Sequence, residues 1–158
     1  MSRNIRHLCE AAVIAAVYAA LTLALAPLSF NSVQVRVAEA LCVLPFFTPA
    51  AIPGLFAGCL ISNIIGTPLG PMDIVIGSLS TLAAAIITRR IRQKWLAPLP
   101  AVAINMFTIA WVLSVTLGLP YWSSAVLVGI GQLVACYGIG MPLLLVLNKY
   151  RKVVFIQP

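Results

Sequence analysis

The stretch VQVRVAEALCVLPFF, residues 33–47, places two opposite charges inside an otherwise apolar run. Arg36 and Glu39 are three positions apart, and the apolar runs of the chain hold almost no other charge. A charged side chain in a bilayer costs about 3 kcal/mol on insertion scales, so such residues usually face a polar cavity within the protein. The stretch therefore predicts a binding or transport site inside a membrane protein.

The composition of the whole chain supports a membrane location. Of its 158 residues, 62% are hydrophobic and 8% are charged, whereas a soluble domain carries about 25% charged residues. A helix needs about 20 residues to cross the hydrocarbon core. Apolar runs fall at 8–26, 37–47, 49–65, 73–88, 98–117 and 122–147. We predict one all-α integral membrane domain over residues 1–158, a bundle of six transmembrane helices in which the short second, third and fourth are tilted or broken.

Basic residues cluster beside the first, fourth and sixth apolar runs. With six crossings, the three clusters lie on one face, and the positive-inside rule places that face, with both chain termini, in the cytoplasm. The clusters are short and adjoin the membrane, so we expect no nucleic-acid binding. They comprise Arg3, Arg6 and His7, then Arg89, Arg90, Arg92 and Lys94, and finally Lys149, Arg151 and Lys152.

Uncharged and acidic polar residues collect at the opposite, outer side of this topology. Gln132 lies deeper, among glycines where the sixth helix should bend before Pro142. Together these residues predict an outward-facing polar pocket with two carboxylates, amides and aromatic rings. Its candidate residues are Gln34, Arg36, Glu39, Asn63, Asp73, Trp111, Trp122 and Gln132.

Each of these residues also has a purely structural explanation. Asp73 could cap the start of its helix, and Asn63 could cap the end of the preceding one. Arg36 and Glu39 could satisfy each other. Trp122 could belong to an aromatic belt at the membrane interface, and Trp111 to a polar stripe, with Asn105 and Thr108, that hydrogen-bonds between helices.

The first apolar run carries two stripes of alanine at intervals of four residues. Small residues at this spacing allow another helix to approach closely in lipid. The stripes suit either packing inside the bundle or docking to a partner subunit. One comprises Ala11, Ala15 and Ala19, and the other Ala12, Ala16 and Ala20.

Several classes of enzyme are excluded by missing motifs. No G-x-x-x-x-G-K-[ST] occurs, so the chain has no P-loop for ATP hydrolysis. His7, the only histidine, lies at the edge of the membrane, where it cannot serve a buried serine protease or zinc site. The three acids are too scattered for a metal cluster, and the four cysteines show no C-x-x-C spacing. We expect no metal, no cofactor and no enzymatic activity.

Residues 34–63, followed by LGPMDIVIGSLSTL at 69–82, resemble the queuosine-precursor transporter family (QueT). The most specific part is the pattern Q-x-R-x-x-E-A-L-x-x-L-P-F from Gln34 to Phe46. P-G-L-F-x-G-C at 53–59 and M-D-I-V-x-G-S at 72–78 extend it, and the likeness covers the whole chain.

The resemblance implies a prokaryotic substrate-binding S component of an energy-coupling-factor (ECF) transporter. Such a component captures a 7-deazaguanine precursor or queuine, then docks onto a transmembrane coupling protein and two ATPase subunits. The resemblance also suggests roles for the candidate residues. Glu39 and Asp73 would accept N–H donors or pair with an aminomethyl cation, Asn63, Gln34 and Gln132 would read ring groups, and Trp111 or Trp122 would stack on the base.

Two alternatives remain open from the sequence. An S component of the same architecture could bind another flat heterocycle, such as a vitamin or purine. A self-contained secondary carrier is less favoured, because such a carrier usually buries an acid near the bilayer centre, and the expected topology places none there.

Overall fold

The computed structural model describes residues 3–29 and 35–150, and every regular element within them is helical. Seven α-helices are joined by four segments of other helical types. The α-helices are α1 (Arg3–Ala24), α2 (Ala26–Ser29), α3 (Ala51–Gly66), α4 (Ser78–Arg90), α5 (Leu99–Leu117), α6 (Tyr121–Leu133) and α7 (Gly140–Lys149). The others are 3₁₀-helices at Val37–Phe46 and Lys94–Leu96, and π-helices at Asp73–Gly77 and Val134–Ile139.

Three continuous helical stretches are long and apolar enough to cross a membrane. They run over Asn4–Ala24, Lys94–Leu117 and Tyr121–Lys149, and shorter apolar helices lie at Val37–Phe46 and Ala51–Gly66. The protein is therefore an all-helical, multi-pass membrane protein. The full count of six spans stays a prediction, as do the positions of the two termini.

Helices α1 and α3 pack backbone to backbone through glycine. A Cβ atom on Gly54 would lie 2.8 Å from the Ala11 carbonyl oxygen, and one on Gly58 would lie 2.8 Å from the Ala15 carbonyl oxygen. Only glycine permits so close an approach, which is how small residues let helices associate in lipid. This contact fixes α1 against the centre of the bundle.

The segment Val37–Phe46 is a 3₁₀-helix of 10 residues, although runs longer than three or four residues are uncommon. Pro45 lies inside it and lacks an N–H group to donate to an α-helical ladder. Arg89 of α4 donates from Nη1 to the carbonyl oxygens of Pro45 and Phe46, each at 3.3 Å. The sequence predicted that this run would be broken or tilted, and the 3₁₀ geometry is the form that the irregularity takes.

The two π-helical segments lie within longer helical stretches. Asp73–Gly77 leads directly into α4, and Val134–Ile139 joins α6 to α7. Insertions of π geometry into α-helices occur frequently at functional sites. The second segment lies between Gln132 and Pro142, where the sequence predicted a bend.

Candidate functional site

A cluster of polar side chains is buried at the centre of the bundle, and we call it the polar core. Every member is at most 5% exposed to solvent. Its members come from α1, the long 3₁₀-helix, α3, the first π segment, α4, α5 and α6. They are Tyr18, Arg36, Glu39, Cys59, Asn63, Asp73, Thr81, Asn105 and Gln132.

Glu39 is the most heavily bonded acid of the polar core. The Tyr18 hydroxyl of α1 donates to Glu39 Oε1 at 2.5 Å. The Glu39 carboxyl group also accepts a hydrogen bond from Asn105 of α5 and lies within electrostatic range of Arg36. Buried carboxyl groups require such partners, because an unpaired charge is costly to desolvate. Glu39 therefore ties α1, α5 and the 3₁₀-helix together.

Arg36 is the cation of the polar core. Its guanidinium interacts electrostatically with Asp73 as well as with Glu39. Arg36 Nη1 also lies 3.7 Å from the Cys59 sulfur, which Thr81 Oγ1 approaches at 3.4 Å. Cys59 is thus a hydrogen-bond acceptor within the cluster.

One oxygen of the Asp73 carboxyl group accepts a hydrogen bond, and the other accepts none from the described residues. Thr67 donates to Asp73 Oδ2 at 2.6 Å, and Asn63 Nδ2 donates to the Asp73 carbonyl oxygen at 3.1 Å. Within residues 3–29 and 35–150, no donor reaches Asp73 Oδ1 or Asn63 Oδ1, although both atoms are buried. Neither residue forms the helix cap that the alternative explanation required, since Met72 and Thr67 occupy the cap positions.

Gln132 closes the polar core on the side of α6. Its side chain is buried, and its Oε1 atom accepts from the Cys136 thiol at 3.5 Å. Cys136 also approaches the Glu39 carbonyl oxygen at 3.6 Å. The start of the second π segment is therefore in contact with the 3₁₀-helix that carries Glu39.

The polar core is more fully enclosed by protein than the sequence predicted. We expected Glu39 and Asp73 in an outward-facing pocket open to water, but both carboxyl groups are enclosed by the bundle. The reason is that the 3₁₀-helix and the first π segment point these side chains inward. The sequence does not show this, because a run that is apolar throughout has no hydrophobic periodicity to tell which face is buried. Both acids interact electrostatically with Arg36.

Two of the predicted binding residues do not join this cluster. The side chains of Trp111 and Trp122 are 45% and 74% exposed at the surface of the bundle. Tyr121 packs edge-on against Trp122, with ring centroids 5.2 Å apart. Gln34 lies outside the described residues.

The two alanine stripes of α1 have different environments. Ala11, Ala15 and Ala19 are buried against the bundle, where the first two contact the α3 glycines. The other stripe, Ala12, Ala16 and Ala20, is exposed. Only the second stripe is therefore available to a partner, and the first is used for internal packing.

Sequence reasoning missed several members of the site. Tyr18 lies within an alanine-rich run, and its one signal was a phenol in an apolar helix, where a buried hydroxyl usually needs a partner. Thr67 was part of the turn between α3 and the first π segment. Asn105 was noted only for contacts between helices, and Cys59 only as one of four cysteines without C-x-x-C spacing.

The side chains of the polar core offer groups that can bind a polar molecule. Its carboxyl and amide oxygens are hydrogen-bond acceptors, and its guanidinium is a fixed cation. Within the described ranges, no three potential metal-ligating side chains come together. Such a set of groups suits recognition of a polar molecule that is rich in N–H donors.

Comparison with known proteins gives the chain its family. The family model described as QueT transporter matches residues 8–149, which is nearly the whole chain. The chain belongs to the QueT transporter family. It is accordingly a transporter-family protein and not an enzyme, as the missing motifs predicted.

A curated relative of this QueT-family chain is the queuosine precursor transporter QueT of Lactococcus lactis subsp. cremoris (strain MG1363). The two sequences are 37% identical over 73 residues, which is 45% of this chain and 42% of the relative. The aligned region thus spans less than half of that protein. No solved structure matches the QueT-family chain described here.

Proposed function

We propose that this QueT-family chain is the substrate-binding S component of an ECF-type ABC transporter in a prokaryotic cell membrane. It would capture a queuosine precursor from outside the cell, as a single domain of six spans with both termini in the cytoplasm. The observation that carries the proposal is the polar core, which places two carboxyl groups and amides inside an apolar bundle. The name of the Lactococcus relative supports the choice of ligand.

The chemistry of a 7-deazaguanine fits these groups. The guanine-like edge presents N–H donors, which a carboxyl group can accept in pairs. The amides of Asn63 and Gln132 can bind ring groups, since each offers both a donor and an acceptor. Hydrogen bonds to charged groups are worth about 1.5–3 kcal/mol each, so a few of them suffice for strong binding. Trp111 and Trp122 stay candidates for stacking only if the bundle rearranges around the ligand.

Energy for transport would come from partner subunits. The chain has no P-loop, so a transmembrane coupling protein and two ATPases would drive the release of the substrate inward. The exposed stripe of Ala12, Ala16 and Ala20 is the docking surface that we propose for this module. A separate, mostly apolar groove of about 390 Å³ lies where the start of α1 meets the start of α3, and its lining includes Leu8, Ala11 and Pro53.

Calorimetric titration of the purified protein with 7-deazaguanines tests the proposed ligand. We expect saturable binding in the wild type and at least tenfold weaker binding in Glu39→Gln. Riboflavin, biotin, thiamine and guanine serve as competing flat heterocycles. If the protein binds one of these compounds and no deazaguanine, the proposed ligand is wrong but the S-component role stands. If it binds none of the compounds tested, both the proposed ligand and the S-component role are refuted.

Substitutions on the two alanine stripes test the docking surface. Ala16→Leu should abolish uptake in cells that contain the complete transporter while leaving ligand affinity unchanged, because Ala16 faces outward. Ala15→Leu is the contrast, because Ala15 contacts Gly58 and a larger side chain there should destabilise the bundle itself. Normal uptake by Ala16→Leu would eliminate this surface as the site of docking.

One observation favours a second candidate, a self-contained carrier coupled to protons. Glu39 and Asp73 are buried within the bundle, and carriers of this type use buried acids as relays. Uptake by liposomes that contain only this chain, driven by an imposed pH gradient, would support a carrier. Uptake that depends on the ATPase module supports the S component.

A further inference from the structure

A group of charged side chains lies outside the polar core, where the chain turns from α4 into α5. The sequence RRIRQK, residues 89–94, holds four cations within six positions, and no acidic residue follows Asp73 in the chain. The apolar span Lys94–Leu117 begins at the last of these cations. Clusters of about four to eight basic residues directly beside a membrane span attract anionic lipids. The position of the turn therefore suits a contact with lipid headgroups.

Two of the four cations already have a role within the protein. Arg89 donates from Nη1 to the carbonyl oxygens of Pro45 and Phe46. Arg90 lies in the last turn of α4, where a cation offsets the partial negative charge of the helix end. Neither role accounts for Arg92 and Lys94, because both follow the end of α4 and both are exposed.

The acids of the chain leave the charges of Arg92 and Lys94 unbalanced. Glu39 and Asp73 are enclosed in the polar core, at 2% and 0% exposure. Glu10, the third acid, has His7 Nδ1 as its partner at 3.8 Å. The counter-charge for the two exposed cations must therefore come from outside the described part of the chain.

Large apolar side chains lie directly after these cations in the same turn. Trp95 is 66% exposed, Leu96 is 42% exposed and Leu99 is 45% exposed. Tryptophan is enriched where the hydrocarbon of a membrane meets the headgroups. A phospholipid carries a phosphate and acyl chains in one molecule, so it matches both the charged and the apolar part of the turn. A free phosphate ion matches only the first.

Hydrogen bonds fix the backbone of this turn in place. The Tyr137 hydroxyl donates to the Trp95 carbonyl oxygen at 3.0 Å, and Thr88 Oγ1 donates to the Ala97 carbonyl oxygen at 3.1 Å. The Ala97 N–H group also donates to the Lys94 carbonyl oxygen at 3.2 Å. A surface that is ordered before its ligand arrives loses less entropy on binding. The cations and the exposed indole are thus presented together.

We propose that Arg92, Lys94, Trp95, Leu96 and Leu99, which we call the basic turn, form a binding surface for an anionic phospholipid. The guanidinium and the ammonium group bind phosphate oxygens, while the indole and the two leucines contact the glycerol and the acyl chains. A zwitterionic lipid carries its own cation and gains less from this contact. The inference goes beyond the proposed function, because it holds whichever molecule the protein transports.

Quenching of tryptophan fluorescence by brominated lipids tests the basic turn, because it reports which lipid lies beside a chosen indole. Trp111→Phe combined with Trp122→Phe leaves Trp95 as the one tryptophan of the chain. This protein is reconstituted into vesicles of equal parts phosphatidylcholine and phosphatidylglycerol, with either lipid brominated in turn. Quenching of Trp95 should show phosphatidylglycerol enriched beside it by at least about threefold.

Two double substitutions in this background remove the same charge from different places. Arg92→Gln with Lys94→Gln should abolish the enrichment, because it removes both proposed phosphate ligands. Arg6→Gln with Lys149→Gln is the matched control, since both positions are exposed on other helices, and it should retain the enrichment. All four positions are exposed, so SDS titration should show unfolding of both double variants as in the parent protein.

Each remaining outcome would overturn the proposal. Equal quenching by the two lipids in the parent protein would show that the basic turn has no preference for anionic lipid. Equal losses of enrichment in the two double variants would show that the net charge of the chain, and not this turn, attracts the lipid. Loss of the enrichment on addition of inorganic phosphate would show that the turn binds phosphate alone. Titration with deazaguanines tests the proposed function independently of all these results.

Discussion

The hydrogen bond from Tyr18 to Glu39 links α1 to the polar core, and its removal gives a sharp prediction. Tyr18 is fully buried, and its hydroxyl donates to a carboxyl oxygen at 2.5 Å. A hydrogen bond to a charged group contributes about 1.5–3 kcal/mol to stability. Tyr18→Phe keeps the ring and its packing but removes the donor, so we expect a loss within that range in the free energy of unfolding.

A second substitution, at Glu39, allows the energy of this hydrogen bond to be measured separately. Glu39→Gln retains an amide oxygen that can accept from Tyr18, but it removes the charge that faces Arg36. A buried polar group that loses a partner costs about 1–3 kcal/mol, and the remaining electrostatic interaction of Arg36 with Asp73 should hold the loss within that range. In the double variant the two losses should not add, because Tyr18 bonds to the group that Glu39→Gln alters.

Reversible unfolding by SDS titration of the protein in mixed micelles measures these four free energies. A double-mutant cycle then gives the coupling between the two positions, which should be about 0.5–3 kcal/mol for residues in contact. A coupling indistinguishable from zero, with each single variant as stable as the wild type, would refute the view that this bond holds α1 to the polar core.

Three further substitutions test other contacts. Gly58→Ala should lower the free energy of unfolding by about 1–3 kcal/mol through overpacking against α1. Gly138→Ala is the control, because a Cβ atom there meets no neighbour and should not lower stability. Equal effects of the two substitutions in SDS titration would exclude tight α1–α3 packing as the cause. Thr67→Val should weaken ligand binding about tenfold in calorimetry by removing the donor to Asp73, and unchanged affinity would place that bond outside the site. Trp122→Ala should leave affinity within about twofold because its ring faces outward, whereas a loss of about 1–3 kcal/mol, typical of base stacking, would place Trp122 on the ligand.

The helical class and the long spans were predictable because lipid imposes a simple rule. Every backbone polar group must be bonded within the bilayer, so a long apolar run becomes a helix. The runs that contain residues 8–26, 98–117 and 122–147 produced the three long stretches. The run at 37–47 did not specify its own geometry, because it is apolar throughout and its Pro45 permits more than one helical form.

Part of the polar core was predictable because a charged side chain in an apolar run is energetically unfavourable in lipid and therefore faces the protein interior. Arg36, Glu39, Asn63, Asp73 and Gln132 all lie in the polar core. Their depth was not predictable, since a shift from α to π or 3₁₀ geometry turns a side chain inward without any change of residue type. The two tryptophans lie outside the polar core. The sequence could not show this, because an aromatic ring suits the membrane interface as well as it suits a ligand.

Helix α1 places the two proposed interactions of the protein on opposite faces. Tyr18 faces Glu39 and the α3 glycines, while the Ala12, Ala16 and Ala20 stripe faces outward. A rigid helix of 22 residues cannot move one face without the other. Displacement of the Tyr18 hydroxyl by a ligand on Glu39 would therefore alter how the exposed alanines are presented. Ligand-dependent assembly with the proposed ATPase module should accordingly weaken in Tyr18→Phe, even where this variant binds the ligand as the wild type does.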